Sequence, residues 1–302
     1  MQHRMYETSM LKGRGLMKKW SIIIVIVALT SFFTFVYIIG LQSKPAITYF
    51  PIDEELSFTA AETDLQLLTE KGKDDYEIMW KASSTTEIPV YLRQDVSLLF
   101  DNGRLRGAVS KWIQDTDAIH LKKMLTLEDS SLYEAISFHH GEIHKQGNQI
   151  NSIQQMSSDH LYVIDSPAAT LDSFKTPSTR YEKEWKVLLD RASMQQLTYY
   201  WNTLFDYFSI DEKAYYHVPL TDLDKFKNQA LSGLTQAQTD KVIGQLWEGL
   251  YKNYLLPIVN AEKVVDSYIP IILFDKQNKH LLVLYEVNGK KEKLIQNYSF
   301  SQ

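Results

Sequence analysis

The sequence predicts an α+β protein that a single N-terminal transmembrane helix anchors to a membrane, and three observations support this prediction. An uninterrupted apolar segment lies near the N-terminus, period-two alternation dominates the middle of the chain, and helical periodicity then gives way to short strands. Strands, then helices, then strands are typical of α+β chains. The predicted segments are a cytoplasmic tail (1–19), a transmembrane anchor (20–41), a stalk (42–55), a mainly antiparallel β lobe (56–170), and a helical segment with a C-terminal three-strand meander (171–302).

The anchor prediction depends on length and on the absence of charge. Trp20–Leu41 contains no charged residue over 22 positions. A helix of that length covers about 33 Å, enough for a hydrocarbon core of about 30 Å. Signal peptides usually have a shorter apolar region and a small-x-small cleavage site, which the residues after Gly40 lack. We therefore expect a retained anchor rather than a cleaved leader.

The charges that flank this segment predict its orientation. Five basic residues and one acidic residue precede it, whereas the acidic triplet Asp53–Glu55 follows it. Basic flanks remain cytoplasmic, so the N-terminus is expected inside and the chain from Gln42 onward outside. Met17, directly before Lys18 and Lys19, is an alternative start to Met1.

Composition excludes some classes of partner. The chain has 32 basic and 37 acidic residues and no cysteine, and the part after the anchor is the more acidic part. An acidic surface disfavours nucleic acid and anionic lipid as its main partners. Without disulfides, the exported part must depend on an ordinary apolar core. A cysteine-free exterior domain on a single anchor indicates a bacterial cell-envelope protein.

The β lobe is predicted from alternation and from turn residues. Tyr76, Ile78 and Trp80 alternate with polar neighbours. Asn102-Gly103 predicts a hairpin, because both central residues of the favoured type I′ turn have positive φ. The full set of expected elements is a strand at 56–60 that continues or restarts at 64–69, a turn at 71–75, a loop at 83–86, hairpin strands at 96–100 and 105–109, a short helical turn at 126–132, strands at 135–144 and 150–164, and a connector at 167–177.

A change of periodicity predicts helices in the second half. Apolar residues across Trp185–Phe208 recur at three-to-four spacing, which is typical of the buried face of a helix. This helix is expected to begin at Ser178 or Thr179, and Thr221–Asp224 precedes a second, shorter helix.

Thr235 and Gln238 have the spacing of a capping box and predict the start of a third helix. It is expected to end near Leu256, because Pro257 cannot continue the hydrogen-bond ladder. Three strands then close the chain, either as a subdomain on the helices or as part of the first sheet. We favour two lobes that meet near 167–177, with the closing strands at 269–274, 280–286 and 293–298.

A histidine cluster gives the candidate metal site. On a strand, His140, Glu142 and His144 point to one face at steps of about 7 Å. Imidazole and carboxylate groups are suitable ligands for zinc or another divalent metal. The spacing differs from the helical His-Glu-x-x-His motif, and Gly141 disfavours a helix. The alternative is a polar, solvent-facing strand with His139 turned inward.

Other candidate sites have simpler structural explanations. Acidic pairs lie beside predicted turns and helix starts, where they stabilise helix N-termini. Motifs of serine hydrolases, Walker A loops, dinucleotide-binding loops and EF-hands are not found in the sequence. A cluster of aromatic residues could stack on sugars or pack in the core: Tyr199, Tyr200, Trp201, Phe205, Tyr207, Phe208, Tyr215 and Tyr216.

These observations predict a non-catalytic binding or accessory protein of a bacterial envelope. Its expected contacts are the membrane, through Trp20–Leu41, and another envelope or membrane protein, with no nucleic acid and no cofactor. The alternative is a metal-dependent or carboxylate-using envelope enzyme that acts through His140, Glu142 and His144. The sequence leaves open the ligand, the oligomeric state and any catalysis.

Overall fold

Two antiparallel sheets, with helices between them in the sequence, make up the described chain. The computed structural model describes residues 47–68, 75–167, 169–261, 265–298 and 300. The predicted tail and anchor lie outside these residues, and none of the helices within them is long and apolar enough to cross a membrane. The α+β class, the antiparallel β lobe and the closing meander are confirmed.

The first sheet contains six strands. Its order is β1-β2-β4-β5-β6, and β3 pairs with the other edge of β2. Every pairing in it is antiparallel. The strands are β1 (Phe58–Leu68), β2 (Tyr76–Asp101), β3 (Arg104–Leu127), β4 (Ser131–His144), β5 (Ile150–Ser166) and β6 (Ala169–Phe174).

Strand β2 belongs to both halves of this sheet. Its first half pairs with β1 and its second half with β4, and the register with β3 shifts between Thr85 and Val90. The loop expected at 83–86 is wrong, because Ser84 and Thr86 are buried inside β2 and bond to the side chain of Arg93. In the sequence, the buried polar residues of this strand have the composition of a loop.

The predicted hairpin joins β2 to β3, and its turn has the expected geometry. Asn102 has φ 46° and Gly103 has φ 82°, as a type I′ turn requires. The short helical turn expected at 126–132 is wrong, because β3 continues to Leu127 and β4 begins at Ser131. The connector expected at 167–177 contains β6, so the predicted boundary at residue 170 falls inside a strand.

The interior of the first sheet is mainly apolar. The predicted alternation of Tyr76, Ile78 and Trp80 is confirmed, since all three side chains are buried in one cluster. Burial of such side chains contributes roughly 1.5–3 kcal/mol each. The cluster consists of Leu65, Tyr76, Ile78, Trp80, Leu99, Tyr133, Ala135, Leu161 and Val163.

The first and third predicted helices begin where their caps predict, whereas the second begins earlier, so that Thr221–Asp224 lies inside it. Helix α1 (Arg180–Phe208) begins after Thr179, whose hydroxyl accepts from the Glu182 N–H. The second predicted helix is a 3₁₀ helix, Leu220–Lys227. Helix α2 (Gln236–Leu250) begins after Thr235 with both bonds of the capping box present.

Helix α2 does not end as expected. A π-helical turn, Tyr251–Leu255, follows it, and the chain continues into α3 (Leu256–Val259). Pro257 lies in the first turn of α3, where its missing N–H breaks no intrahelical bond. The predicted end near Leu256 is therefore three residues short.

The second sheet has the order β10-β9-β8-β7. Strands β8 (Ile271–Asp275), β9 (His280–Val287) and β10 (Lys290–Asn297) are the predicted meander. Strand β7 (Tyr215–Pro219) was not predicted, because it is a five-residue strand between two 3₁₀ helices, the first of which is Glu212–Ala214. It completes the sheet by pairing with β8.

Residues 47–55, which we call the N-terminal strap, lie against β5 and correct the predicted stalk. Ile47 is buried, and Ile52 forms a parallel bridge with Ser152. The Asp53 N–H donates to the Ser152 carbonyl at 2.8 Å, and the Asp53 carboxylate pairs with Lys145 at 2.6 Å. The described part of the expected stalk is therefore fixed to the sheet rather than extended in solvent.

Candidate functional site

The predicted metal residues lie on β4, but the structure does not bring them together. His140 is fully buried, whereas the imidazole of His144 is partly exposed and stacks on Tyr91 with ring centroids 3.7 Å apart. His144 Nε2 lies 3.6 Å from Glu142 Oε2. Over the described ranges, no group of three or more His, Cys, Asp or Glu side chains could hold a metal ion.

His140 has an environment unlike a solvent-facing strand. It shares a face of β4 with Phe138, which stacks on Trp247 of α2 at a centroid distance of 5.0 Å. Burial lowers the pKa of His140 to about 4, against opposing contributions from the Thr48 backbone and nearby carboxylates. The imidazole is therefore neutral at physiological pH, so the alternative of a fully solvated strand is also wrong at this position.

The opposite face of β4 carries a closed polar network. His139, which was expected to turn inward, is fully buried, and its Nδ1 lies 2.8 Å from Asp95 Oδ2 on β2. Its Nε2 lies 2.8 Å from the hydroxyl of Ser157 on β5. These contacts follow from strand register, because Asp95 and His139 are direct cross-strand partners.

This network contains the atom order of a Ser-His-Asp triad, and its three side chains are buried, with Ser157 at the wall of a surface cleft. The Ser157 hydroxyl also lies 2.7 Å from Thr63 Oγ1, and Ser157 is only 5% exposed. Asp95 Oδ2 accepts a further hydrogen bond from Ser84, which also accepts from the buried Arg93. A nucleophilic serine must be able to reach a substrate carbonyl, so this geometry favours a structural role.

The largest cleft lies between the first sheet, α1 and the 3₁₀ helix 220–227, and has a volume of about 820 Å³. Strands β4 and β5 form its floor, and one side of α1 forms a wall. The residues of α1 that line it recur at helical spacing, so they share a face. They are Lys186, Val187, Asp190, Arg191, Ser193, Met194 and Leu197.

Glu134 is the distinctive group on the floor of this cleft. Its Oε1 accepts a hydrogen bond from Thr221 Oγ1 at 3.0 Å. Burial raises the pKa of Glu134 to about 7; Asp222 and Asp190 add to this effect, and the Thr221 hydrogen bond opposes it. A carboxyl group that titrates near neutrality in a cleft is a typical feature of functional sites.

Asp190 and Asp159, two other carboxylates of the cleft, already have basic partners. Asp190 accepts hydrogen bonds from Tyr162 and Lys186, and the Lys186 ammonium lies 5.0 Å from the centre of the Tyr162 ring. Asp159 pairs with Lys175 at 2.6 Å. Glu134, in contrast, receives its described hydrogen bond from a neutral hydroxyl.

The rim of the cleft is apolar and exposed. Val187 is 57% exposed and Met194 is 51% exposed, although both lie on a wall of the cleft. Leu132 and Leu197 add apolar surface further inside. An open cavity with apolar walls and a few polar groups is the usual form of a ligand site.

Comparisons with known proteins provide no identification. No known protein family matches the sequence, and no curated protein is similar to it. One solved structure, the sporulation control protein Spo0M from Bacillus subtilis, aligns over 80% of this chain and 90% of its own length, with 9% identity and a TM-score of 0.16. At this TM-score the alignment carries no argument about fold or function.

The aromatic cluster predicted around α1 is divided between core and surface. Tyr200, Trp201 and Phe205 are buried, whereas Tyr199 and Tyr207 are exposed. Core packing therefore explains the three buried members of the cluster. Glu134, which sequence reasoning missed, lies one residue before the predicted strand at 135–144. Its one local signal is a carboxylate between Tyr133 and Ala135, which are both buried.

Proposed function

We propose that this chain is a membrane-anchored, extracytoplasmic binding protein of a bacterial cell envelope, and that the cleft above Glu134 is its binding site. The location follows from the apolar segment and basic flank described above. The proposal further includes a non-catalytic role as an accessory to another envelope or membrane protein.

The observation that carries the binding proposal is the combination of exposed apolar walls with a recessed carboxyl group. Val187 and Met194 expose apolar surface to a cavity of about 820 Å³ rather than packing on the sheet. Exposed apolar surface that lines a concavity is typical of a binding groove. Lys186 and Asp190, two of the charged groups of α1 at this site, already form an ion pair with each other.

Site-directed photocrosslinking in intact cells tests this proposal. A photoreactive amino acid replaces Met194 in the full-length protein, and a matched variant carries it at Ile295, an equally exposed apolar position on β10. We expect a discrete adduct with an envelope or membrane protein from position 194 and none from position 295. A Val187→Asp substitution is expected to remove the adduct, because a charge on the wall opposes apolar contact. Equal adducts from both positions, or none from position 194, would contradict the proposal.

The predicted orientation has its own test. A protease added to intact cells after removal of the outer wall is expected to digest the chain from Gln42 onward. Protection of the C-terminal sheet would contradict the extracytoplasmic location.

One observation favours the enzyme alternative at a different place from the predicted histidine cluster. The raised pKa of Glu134 and the nearby Asp190 and Asp222 resemble the arrangement in which one carboxyl is a general acid and another stays ionised. Release of sugars from purified cell-wall glycan by the wild-type protein, and its loss in Glu134→Gln, would establish catalysis. Unchanged glycan would leave binding as the function of the cleft.

A further inference from the structure

We infer that the cleft takes a cationic aliphatic side chain of a polypeptide, lysine or arginine, and that this cation replaces the proton on Glu134. The inference depends on the proposed binding function and adds the chemistry of the ligand. Three features carry it: the partners of the carboxylates, the apolar path to Glu134, and the balance of charge around Glu134.

The first feature is that Glu134 has unused capacity to accept hydrogen bonds. An ionised carboxylate has about four acceptor positions, and Thr221 occupies one of them. The neighbouring carboxylates Asp190 and Asp159 already hold Lys186 and Lys175. No ion pair of Glu134 is described. It is therefore the carboxyl group in the cleft with which an entering cation can pair.

The second feature is the apolar path to this carboxyl group. Leu132, Val187, Met194 and Leu197 line the same cavity as Glu134. Lysine and arginine side chains bury their methylene groups on apolar surface while the charged end reaches a polar partner. The cavity of about 820 Å³ also leaves room for the residues on either side of such a side chain in an extended polypeptide.

The third feature is the balance of charge around Glu134. Asp222 from the 3₁₀ helix and Asp190 from α1 both disfavour ionisation of Glu134. Lys186 and Arg191 also line the cleft from α1, and Lys186 is bound to Asp190.

The strand beneath Glu134 adds no free positive charge. On β5, His160 is the cross-strand partner of Glu134 and bonds to the Lys175 carbonyl at 2.9 Å, and Asp159 is paired with Lys175. Removal of the proton from Glu134 creates a negative charge close to those of Asp222 and Asp190, and a ligand cation compensates it.

Calorimetry with defined probes tests the inference on the full chain in detergent. The first probe is a blocked pentapeptide, Leu-Thr-Lys-Thr-Leu, and the second has norleucine in place of lysine. The lysine peptide is expected to bind roughly 30-fold more tightly at pH 8 than at pH 5.5, because only ionised Glu134 accepts the cation. The norleucine peptide is expected to bind weakly at both pH values.

Proton release provides a second readout. At pH 6, the heat of binding of the lysine peptide is expected to depend on the ionisation enthalpy of the buffer, with nearly one proton released per peptide. At pH 8.5 this dependence is expected to disappear. Hexylammonium, a free amine, is included to separate recognition of the cation from recognition of the polypeptide.

Glu134→Gln is the decisive variant. Its amide oxygen can still accept from Thr221, so the local structure is retained while the charge is removed. We expect the lysine peptide to lose its pH dependence and its advantage over norleucine. The matched control is Glu142→Gln, which alters another partly buried carboxyl on the same face of β4 but outside the cleft, and is expected to bind as wild type.

The outcomes separate this inference from the proposed function. If both peptides bind equally and a substitution of Met194 weakens both, the inference about the cation is wrong, but the cleft remains a binding site. If hexylammonium binds and the lysine peptide does not, the claim that the ligand is a polypeptide is wrong. Absence of binding by every probe overturns the inference, and if position 194 also gives no adduct in cells, the proposed function fails with it.

Discussion

The two faces of β4 carry two polar sites that differ in their access to solvent. On the inner face, His139 is enclosed between Asp95 and Ser157, and each of its ring nitrogens has a partner at 2.8 Å. On the outer face, Glu134 lies at the floor of an open cleft and bonds to the hydroxyl of Thr221. The inner site thus has a triad-like order of atoms with almost no exposed surface, whereas the outer site is open and has a single described hydrogen bond.

This difference shows that partners and access, rather than residue types, distinguish a structural polar site from a functional one. Asp95 Oδ2 and both ring nitrogens of His139 have hydrogen-bond partners, so the two residues stabilise a specific arrangement of β2, β4 and β5. Burial and neighbouring carboxylates raise the pKa of Glu134 to about 7. Its protonation therefore changes with pH near neutrality.

The largest expected effect is on stability, from disruption of the inner network. Asp95→Ala leaves Arg93 and His139 buried without their carboxylate, and removal of one partner of a buried charged pair typically costs about 3–5 kcal/mol. Urea denaturation followed by circular dichroism measures this loss. Asp172→Ala, at an exposed position, is the control and is expected to change stability by less than about 0.5 kcal/mol. A loss below about 1 kcal/mol for Asp95→Ala would mean that the network is not important for stability.

A smaller effect, with a defined pH dependence, is expected at the outer site. Glu134 has its pKa raised from 4.5 to about 7, so the folded state holds a proton that the unfolded state releases. Its stabilising contribution is complete below pH 4.5 and is lost as pH rises through 7. The shift corresponds to an upper limit of roughly 3 kcal/mol.

Glu134→Gln is expected to remove this pH dependence. The free energy of unfolding of the variant relative to wild type is therefore expected to increase from pH 4 to pH 8. Denaturation curves at both pH values measure this change. A constant difference between the two proteins would show that Glu134 is not buried as described.

The smallest effect is expected from Ser157→Ala. This change removes the hydroxyl that contacts His139 and Thr63, at a cost of about 1–2 kcal/mol. If the inner site is closed, an active-site fluorophosphonate probe is not expected to label wild-type Ser157. Labelling of the wild-type protein that disappears in Ser157→Ala would show that the triad is accessible, and the contrast between the two faces would then be lost.

Much of the fold could be predicted because its elements have local signals. Asn102-Gly103 defines its turn through positive φ, and Thr235 with Gln238 defines a helix start through side-chain bonds to the backbone. The continuation of β2 through 83–86 could not be predicted, because Ser84 and Thr86 are polar for a reason that lies elsewhere in the chain. Their partner Arg93 becomes a neighbour only when β2 bends.

The candidate site depended on even more distant residues. The environment of Glu134 is set by Thr221, 87 positions away in the sequence, and by α1. His140, in contrast, was predicted to be a metal ligand from its residue type and spacing, yet helix α2 covers it. Periodicity identifies the strand that carries a side chain, but burial by a later helix cannot be determined from the strand itself.

The N-terminal strap has a practical consequence for preparing the described domain as a fragment. A truncation designed from the sequence would begin at Leu56, where strand alternation starts. Such a fragment would lack the segment that hydrogen-bonds to both the N–H and the carbonyl of Ser152. That stretch of β5 would then be an open edge. Open edges pair with other chains, so this fragment would tend to aggregate during purification, whereas one that begins before Ile47 keeps the edge covered.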